Sequence, residues 1–162
     1  MSLLKLNFQT SAKTYWNQTF SEDATLNEMV KQLEETGKYQ PNQNEYVLMY
    51  DDQVLTNRDQ TLKELSVKND DHFNLVDKKH YNSDKVLKLF VEKLDTQDTP
   101  IIFENLKHYQ TIRSLIKEIS ALINVDASKL AIVYSGKRLN EYRTLSNSAL
   151  CQGETLKLLI LK

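Results

Sequence analysis

The chain repeats itself. "LLKLNFQ" from Leu3 returns as "VLKLFVE" from Val86, an offset of about 83 residues, which is the length of a small domain rather than of a solenoid unit. In each copy the alternate apolar residues (Leu4, Leu6, Phe8; Leu87, Leu89, Val91) mark a strand with one buried face. Polar turn residues follow, "TSAKT" in the first copy and "DTQDTP" in the second. Second strands come next, around residues 15–20 and 101–106, so each copy opens on a β-hairpin.

Each hairpin leads into a helix. Leu26, Met29, Val30 and Leu33 fall at i, i+3, i+4 and i+7, one apolar stripe. Thr25 precedes them with Glu28 three residues on, a capping box, and Gly37 is placed to end the helix in a left-handed conformation. In the second copy Ile112, Leu115, Ile116, Ile119, Leu122 and Ile123 make a broader stripe, with Thr111 as N-cap and Asn124 in the place of Gly37. Two short strands follow, within "EYVLMYDDQVL" and "KLAIVYSGKRL", joined by tight turns at Asp51-Asp52 and Gly136-Lys137. A Thr-Leu turn segment (Thr61-Leu62; Thr144-Leu145) and a last strand ("HFNLV"; "TLKLLIL") complete each copy, with Leu139 and Leu145 pointing to the core. One helix covering one face of a sheet is an α+β architecture. The boundaries read as residues 1–77 for the first domain, 78–84 ("KKHYNSD") for a polar linker and 85–162 for the second domain.

Charge divides the copies. Residues 1–77 hold 7 Lys+Arg against 13 Asp+Glu, hence −6; residues 78–162 hold 14 against 9, hence +5. Units of opposite sign present different surfaces to partners. Acidic residues are interspersed through the basic copy, which argues against a nucleic-acid binder. No apolar run reaches the roughly 20 residues of a membrane helix. "MSLLKLNFQ" lacks the core of a signal peptide, and Cys151 is a single cysteine, so a reducing compartment is expected, cytoplasmic or nuclear, with leaderless import into an organelle the alternative.

The second copy resembles ubiquitin. Residues 111–162 line up with it without a gap, on Thr111-Ile112, on Gly136, Lys137 and Leu139, on "RTLS" from Arg143 to Ser146, and on Thr155-Leu156. The hairpin before them fits with about three extra residues in its turn, a normal place for an insertion. The first copy resembles the same family more distantly, with "DDQVL" in place of the Gly-Lys turn. The resemblance implies two tandem β-grasp domains, each a mixed sheet with one helix packed on one face. It also implies modifiers joined to targets through a C-terminal Gly-Gly. This sequence ends Leu159-Ile160-Leu161-Lys162, and Val76-Asp77-Lys78-Lys79 holds no Gly-Gly either, so neither conjugation nor cleavage into two modifiers is expected.

Catalysis is not expected. His72, His80 and His108 are scattered, with no metal-ligand spacing between them. Cys151 has no neighbour placed to lower its pKa. Gly136-Lys137 lacks the upstream glycine and the following hydroxyl of a P-loop, since Ala131 and Arg138 stand there. Asp51-Asp52 has no further ligands nearby, so it reads as a solvated turn. No metal, cofactor or small-molecule substrate is expected.

What remains is recognition of a protein. The resemblance to ubiquitin places an apolar docking patch at Leu94, Val133 and Leu159, edged by Gly136, Lys137 and Lys157. Aliphatic residues at the outward phase of a strand favour a contact surface. Ala131 and Leu161 stand where ubiquitin carries arginines. In the first copy the corresponding residues are Ser11, Met49 and Val76 beside Asp51 and Asp52, a thinner and more acidic patch. Trp16 is expected in the core, and Tyr46 and Tyr50 suit either core or contact. Two functions are expected: an adaptor that binds a partner through the second domain, or an accessory subunit of a large multiprotein assembly. A covalent modifier is the third reading.

Overall fold

A computed structural model describes residues 2–36, 46–94 and 96–162. They form two compact units, Met1–Asn82 and Ser83–Lys162. The first unit runs β1 (Leu3–Thr10), β2 (Tyr15–Ser21), α1 (Leu26–Glu35), β3 (Tyr46–Tyr50), β4 (Gln53–Val54), β5 (His72–Asp77) and a short helix α2 (Lys78–Tyr81). The second runs β6 (Leu87–Lys93), β7 (Ile101–Leu106), α3 (Ile112–Ile123), β8 (Leu130–Tyr134), β9 (Lys137–Arg138) and β10 (Glu154–Ile160). Of residues 78–84, expected to join the domains, the first four form the single turn of α2, capped by the Asp77 carboxylate on the Lys79 amide at 2.8 Å. No helix among the described residues is long and apolar enough to cross a membrane.

Both sheets have the same topology. The orders are β2-β1-β5-β3-β4 and β7-β6-β10-β8-β9. Hairpin pairing is antiparallel in each, and the first and last strands lie parallel at the centre (β1 with β5, β6 with β10). A parallel pair needs a long crossover, and the helix of each unit supplies it.

The helices form where the pattern placed them. In α1 the Thr25 hydroxyl accepts the Glu28 amide at 3.2 Å, and Glu28 returns to the Thr25 amide at 2.9 Å, the complete capping box. Leu26, Met29, Val30 and Leu33 are buried. Thr36 is the C-cap; Gly37 lies outside the described residues. In α3 Thr111 caps the Ser114 amide at 3.1 Å, and Asn124 takes the left-handed conformation at φ 58°. Leu122 departs from the expected stripe and is 64% exposed. It stands at the flank of the buried face, in the last turn of the helix, while Ile112, Leu115, Ile116 and Ile119 face the sheet. The two first-turn amides left open by each helix bond to loop carbonyls: Leu26 to Gln60 and Asn27 to Arg58, Ile112 to Arg143 and Arg113 to Glu141. Thr61 and Thr144, expected as turn residues, bridge to the helix caps Thr25 and Thr111.

Each unit closes its own core. In the first, Phe8, Phe20, Leu48, Leu62, Phe73 and Leu75 pack under α1. Trp16 packs partly buried against this core and stacks on Phe8 at 5.5 Å. Tyr46 is buried and Tyr50 half-buried, stacked on Phe73 at 4.9 Å. In the second, Leu89, Val91, Ile132, Leu145, Leu156 and Leu158 pack under α3, with Leu139 partly buried at the margin.

Candidate functional site on the open face of the second sheet

Strand alternation sorts the second sheet into two faces. Leu130 and Ile132 of β8, with Leu156 and Leu158 of β10, belong to the core beneath α3. Ala131 and Val133, Lys157 and Leu159 therefore take the opposite face. The register aligns them: Val133 faces Lys157, and Leu159 faces Ala131. Leu94 follows β6, and its amide donates to the Leu158 carbonyl at 2.9 Å, which sets it beside the end of β10. Because β10 lies between β6 and β8, three segments far apart in sequence bring Leu94, Leu159 and Val133 to neighbouring strands. Leu94 is 40% exposed, and Val133 and Leu159 are half-buried.

The surroundings of this cluster are charged. Lys157 forms an ion pair with Glu92, its cross-strand neighbour on β6. Lys93 pairs with Asp98 at 3.6 Å. Lys137 and Arg138 are exposed on β9, neither in an ion pair with a described residue; Arg138 lies opposite Val133, whereas Lys137, expected at the edge of the patch, lies opposite Tyr134 in the alternate phase of the strand. The turn that carries them differs by one residue from the sequence reading. Ser135 and Gly136 are its central pair, at φ 53° and 79°, and Lys137 begins β9. Two positive φ values in succession make the mirror-image turn whose twist suits a hairpin. In the first unit Asp51 and Asp52 take the same conformation, at φ 50° and 64°.

Three further residues on this face escaped the sequence reading. Phe90 on β6 and Ile102 on β7 lie opposite one another, and Ile102 is 52% exposed. The Lys88 ammonium sits 5.3 Å from the centre of the Phe90 ring. Arg138 is the third. The signal for Ile102 was its phase in "PIIFENL", where an apolar residue takes the outward position between inward Ile101 and Phe103.

A tyrosine fastens the end of this hairpin. Tyr134 donates to Glu154 at 2.5 Å, and the other Glu154 oxygen accepts the Cys151 amide at 2.9 Å. These bonds hold the Glu154 carboxyl below its ordinary range, the Tyr134 bond first, while the bond to Glu154, and then burial, raise the Tyr134 phenol. The first unit repeats the device: Tyr50 donates to Asp71 at 2.5 Å, and Asp71 accepts the Lys68 amide at 2.8 Å. Burial, and then Asp71, raise the Tyr50 phenol. Cys151 is exposed.

The corresponding face of the first unit is different. Met49 and Val76 are buried, Ser11 is half-buried, and Gln9 and Asn74 beside them are buried as well. Their positions offer no open apolar patch comparable to that of the second unit.

Two units with one strand order, one helix and one hairpin turn define tandem β-grasp domains of α+β class. Residues 89–162 match the model of the Ubiquitin family, and this part of the chain is ubiquitin-like. Among solved structures, the chain is similar to a ubiquitin of Caldiarchaeum subterraneum at 15% identity, with a TM-score of 0.46, covering 48% of this chain and 96% of that one. It is also similar to an N-terminal ubiquitin-like domain solved in solution, at 24% identity and a TM-score of 0.44, covering 49% of this chain and 79% of that one. No curated protein matches the chain.

Proposed function

We propose that the chain is a protein-interaction protein, and that a partner docks on the open face of its second sheet. The observation that carries this is the convergence of Leu94, Leu159 and Val133 beside one another at adjacent strands, outside the core and next to exposed Arg138. An apolar centre with a charged rim is the usual make-up of a protein interface. Gly136 shapes the turn that leads into β9 and Arg138, and Lys157 is positioned by Glu92. The partner is a protein with an apolar anchor and an acidic flank, since like charge opposite Arg138 would be repelled. The internal junction at residues 76–79 holds no Gly-Gly, which favours a chain acting as one piece.

Val133→Glu tests the reading. Val133 is half-buried on the outer face, so a charge there leaves the core intact. Loss of a central contact costs a partner at least about tenfold in affinity. Quantitative affinity purification from native cells, wild type against Val133→Glu with thermal melting as a fold control, is expected to lose a specific co-purifying protein. Undiminished recovery of every partner by a folded Val133→Glu chain rejects this face as the site.

A further inference from the structure

Each sheet ends in two edges, and an edge strand presents unpaired backbone groups to any strand that approaches. β4 and β9 are two residues each. β7 follows Pro100, pairs with β6 through a register shift between Leu87 and Leu89, and carries exposed Glu104. Those are the usual protections. β2 has none of them. It is seven residues long, "YWNQTFS", with no charge, no proline and an unbroken register from Leu3 opposite Ser21 to Gln9 opposite Tyr15.

The ladder shows which groups point outward. The Thr10 amide bonds to Thr14 at 3.0 Å, and the Glu22 amide to Ser2 at 3.0 Å. Bonded pairs alternate with non-bonded pairs in an antiparallel ladder, so the even-numbered residues of β2 bond to β1. Asn17 and Thr19 then turn both amide and carbonyl away from β1, and neither group bonds a described residue. The strand is also polar in its charge: exposed Lys13 precedes it, and Glu22 and Asp23 follow. None of the three forms an ion pair with a described residue.

We propose that β2 pairs antiparallel with β2 of a second copy of this chain, about a two-fold axis at Gln18. That register sets Asn17 opposite Thr19 of the second copy, so each pair exchanges both outward backbone bonds. It sets Trp16 opposite Phe20 of the second copy on the helix side. It also brings Lys13 of each copy against Asp23 of the other, with Glu22 beside it. A parallel pairing would oppose like charges at each end, so the antiparallel self-match is the one the sequence favours. An edge contact of this length buries little apolar area, and the association is weak and concentration-dependent.

Sedimentation velocity of the full chain, from about 1 µM to 1 mM, is expected to move from the 18.9 kDa monomer toward twice that mass. The emission of Trp16, the only tryptophan, is expected to shift with it. Thr19→Pro removes an outward donor and no bond to β1, so it is expected to abolish the dimer in a chain that melts normally. Lys13→Glu is expected to weaken association about tenfold, and the swap of Lys13→Glu with Glu22→Lys and Asp23→Lys to restore it. A chain that stays monomeric throughout overturns the proposal. So does a dimer that folded Thr19→Pro leaves unchanged, or one that Lys13→Glu strengthens.

Discussion

At the scale of single residues, Tyr134 and Tyr50 are the least obvious parts of the design. Each ends an apolar strand. In the fold each hydroxyl reaches an acid 20 or 21 residues on, Glu154 or Asp71. That acid in turn ties down a backbone amide of the loop. Glu154 is held below its ordinary 4.5 by this bonding, and Tyr134 above its ordinary 10.0. A depressed acid adds stability above its unfolded value and loses it as pH falls through the folded one. A raised phenol adds stability below 10.0 and loses it as pH rises through the folded value. The Tyr134→Phe chain is therefore expected to melt below wild type at neutral pH. The gap should narrow as pH drops below 4.5, followed by thermal melts on a pH series. Gly136 makes a second residue-scale case. A Cβ there meets nothing within 4 Å, so Gly136→Ala is a test of φ alone. At φ +79° an alanine costs about 1 kcal/mol, read as a lower urea midpoint at unchanged m-value.

At the scale of elements, the helices were the most legible parts. Their caps, stripes and ends are local, written within a few residues of one another. Thr25 with Glu28 and Thr111 with Asn124 behave as their types demand. Leu122 shows the limit of that legibility. Periodicity puts it at the flank of the stripe, and only the sheet decides how wide the covered face is. The hairpin turn shows another limit. Gly136 was recognisable as the residue for positive φ, but Ser135 rather than Lys137 shares the turn with it. The register of β8 against β9, with Tyr134 opposite Lys137, settles which pair is central. The same strand alternation separates core from surface at neighbouring positions. Ile132 and Leu158 are core, while Val133 and Lys157 are outward. Leu158→Ala is expected to destabilise its unit by about 2–5 kcal/mol.

At the scale of the molecule, the two units hold separate cores that share no residue among the described ones. Trp16, the only tryptophan, belongs to the first. Its fluorescence therefore reports one unit while far-ultraviolet circular dichroism reports both. In urea, the Leu158→Ala chain is expected to show an earlier dichroism transition with the Trp16 transition unmoved. Coincident shifts of both probes would show that the units unfold as one. The charge division follows the same partition, an acidic first copy and a basic second one. It gives the molecule two chemically different surfaces, of which the second sheet's open face carries the exposed apolar cluster with cations at its rim.

The sequence by itself determined the repeat, the element order, the helix caps and the sorting of apolar residues into two phases. All of these rest on spacings of a few residues or on the likeness of one copy to the other. Only the tertiary structure decided what lies beside what. Leu94, Val133 and Leu159 lie far apart in the sequence, and nothing local says that β10 runs between β6 and β8. Burial of Met49 and Val76 against exposure of Ile102 is likewise invisible in the pattern, because aliphatic residues suit a strand whichever face they take. Hydrogen-bond parity along β2 depends on its pairing with β1. That is why its outward-facing Asn17 and Thr19 emerge from the fold, although the absence of charge in the strand was there to be read.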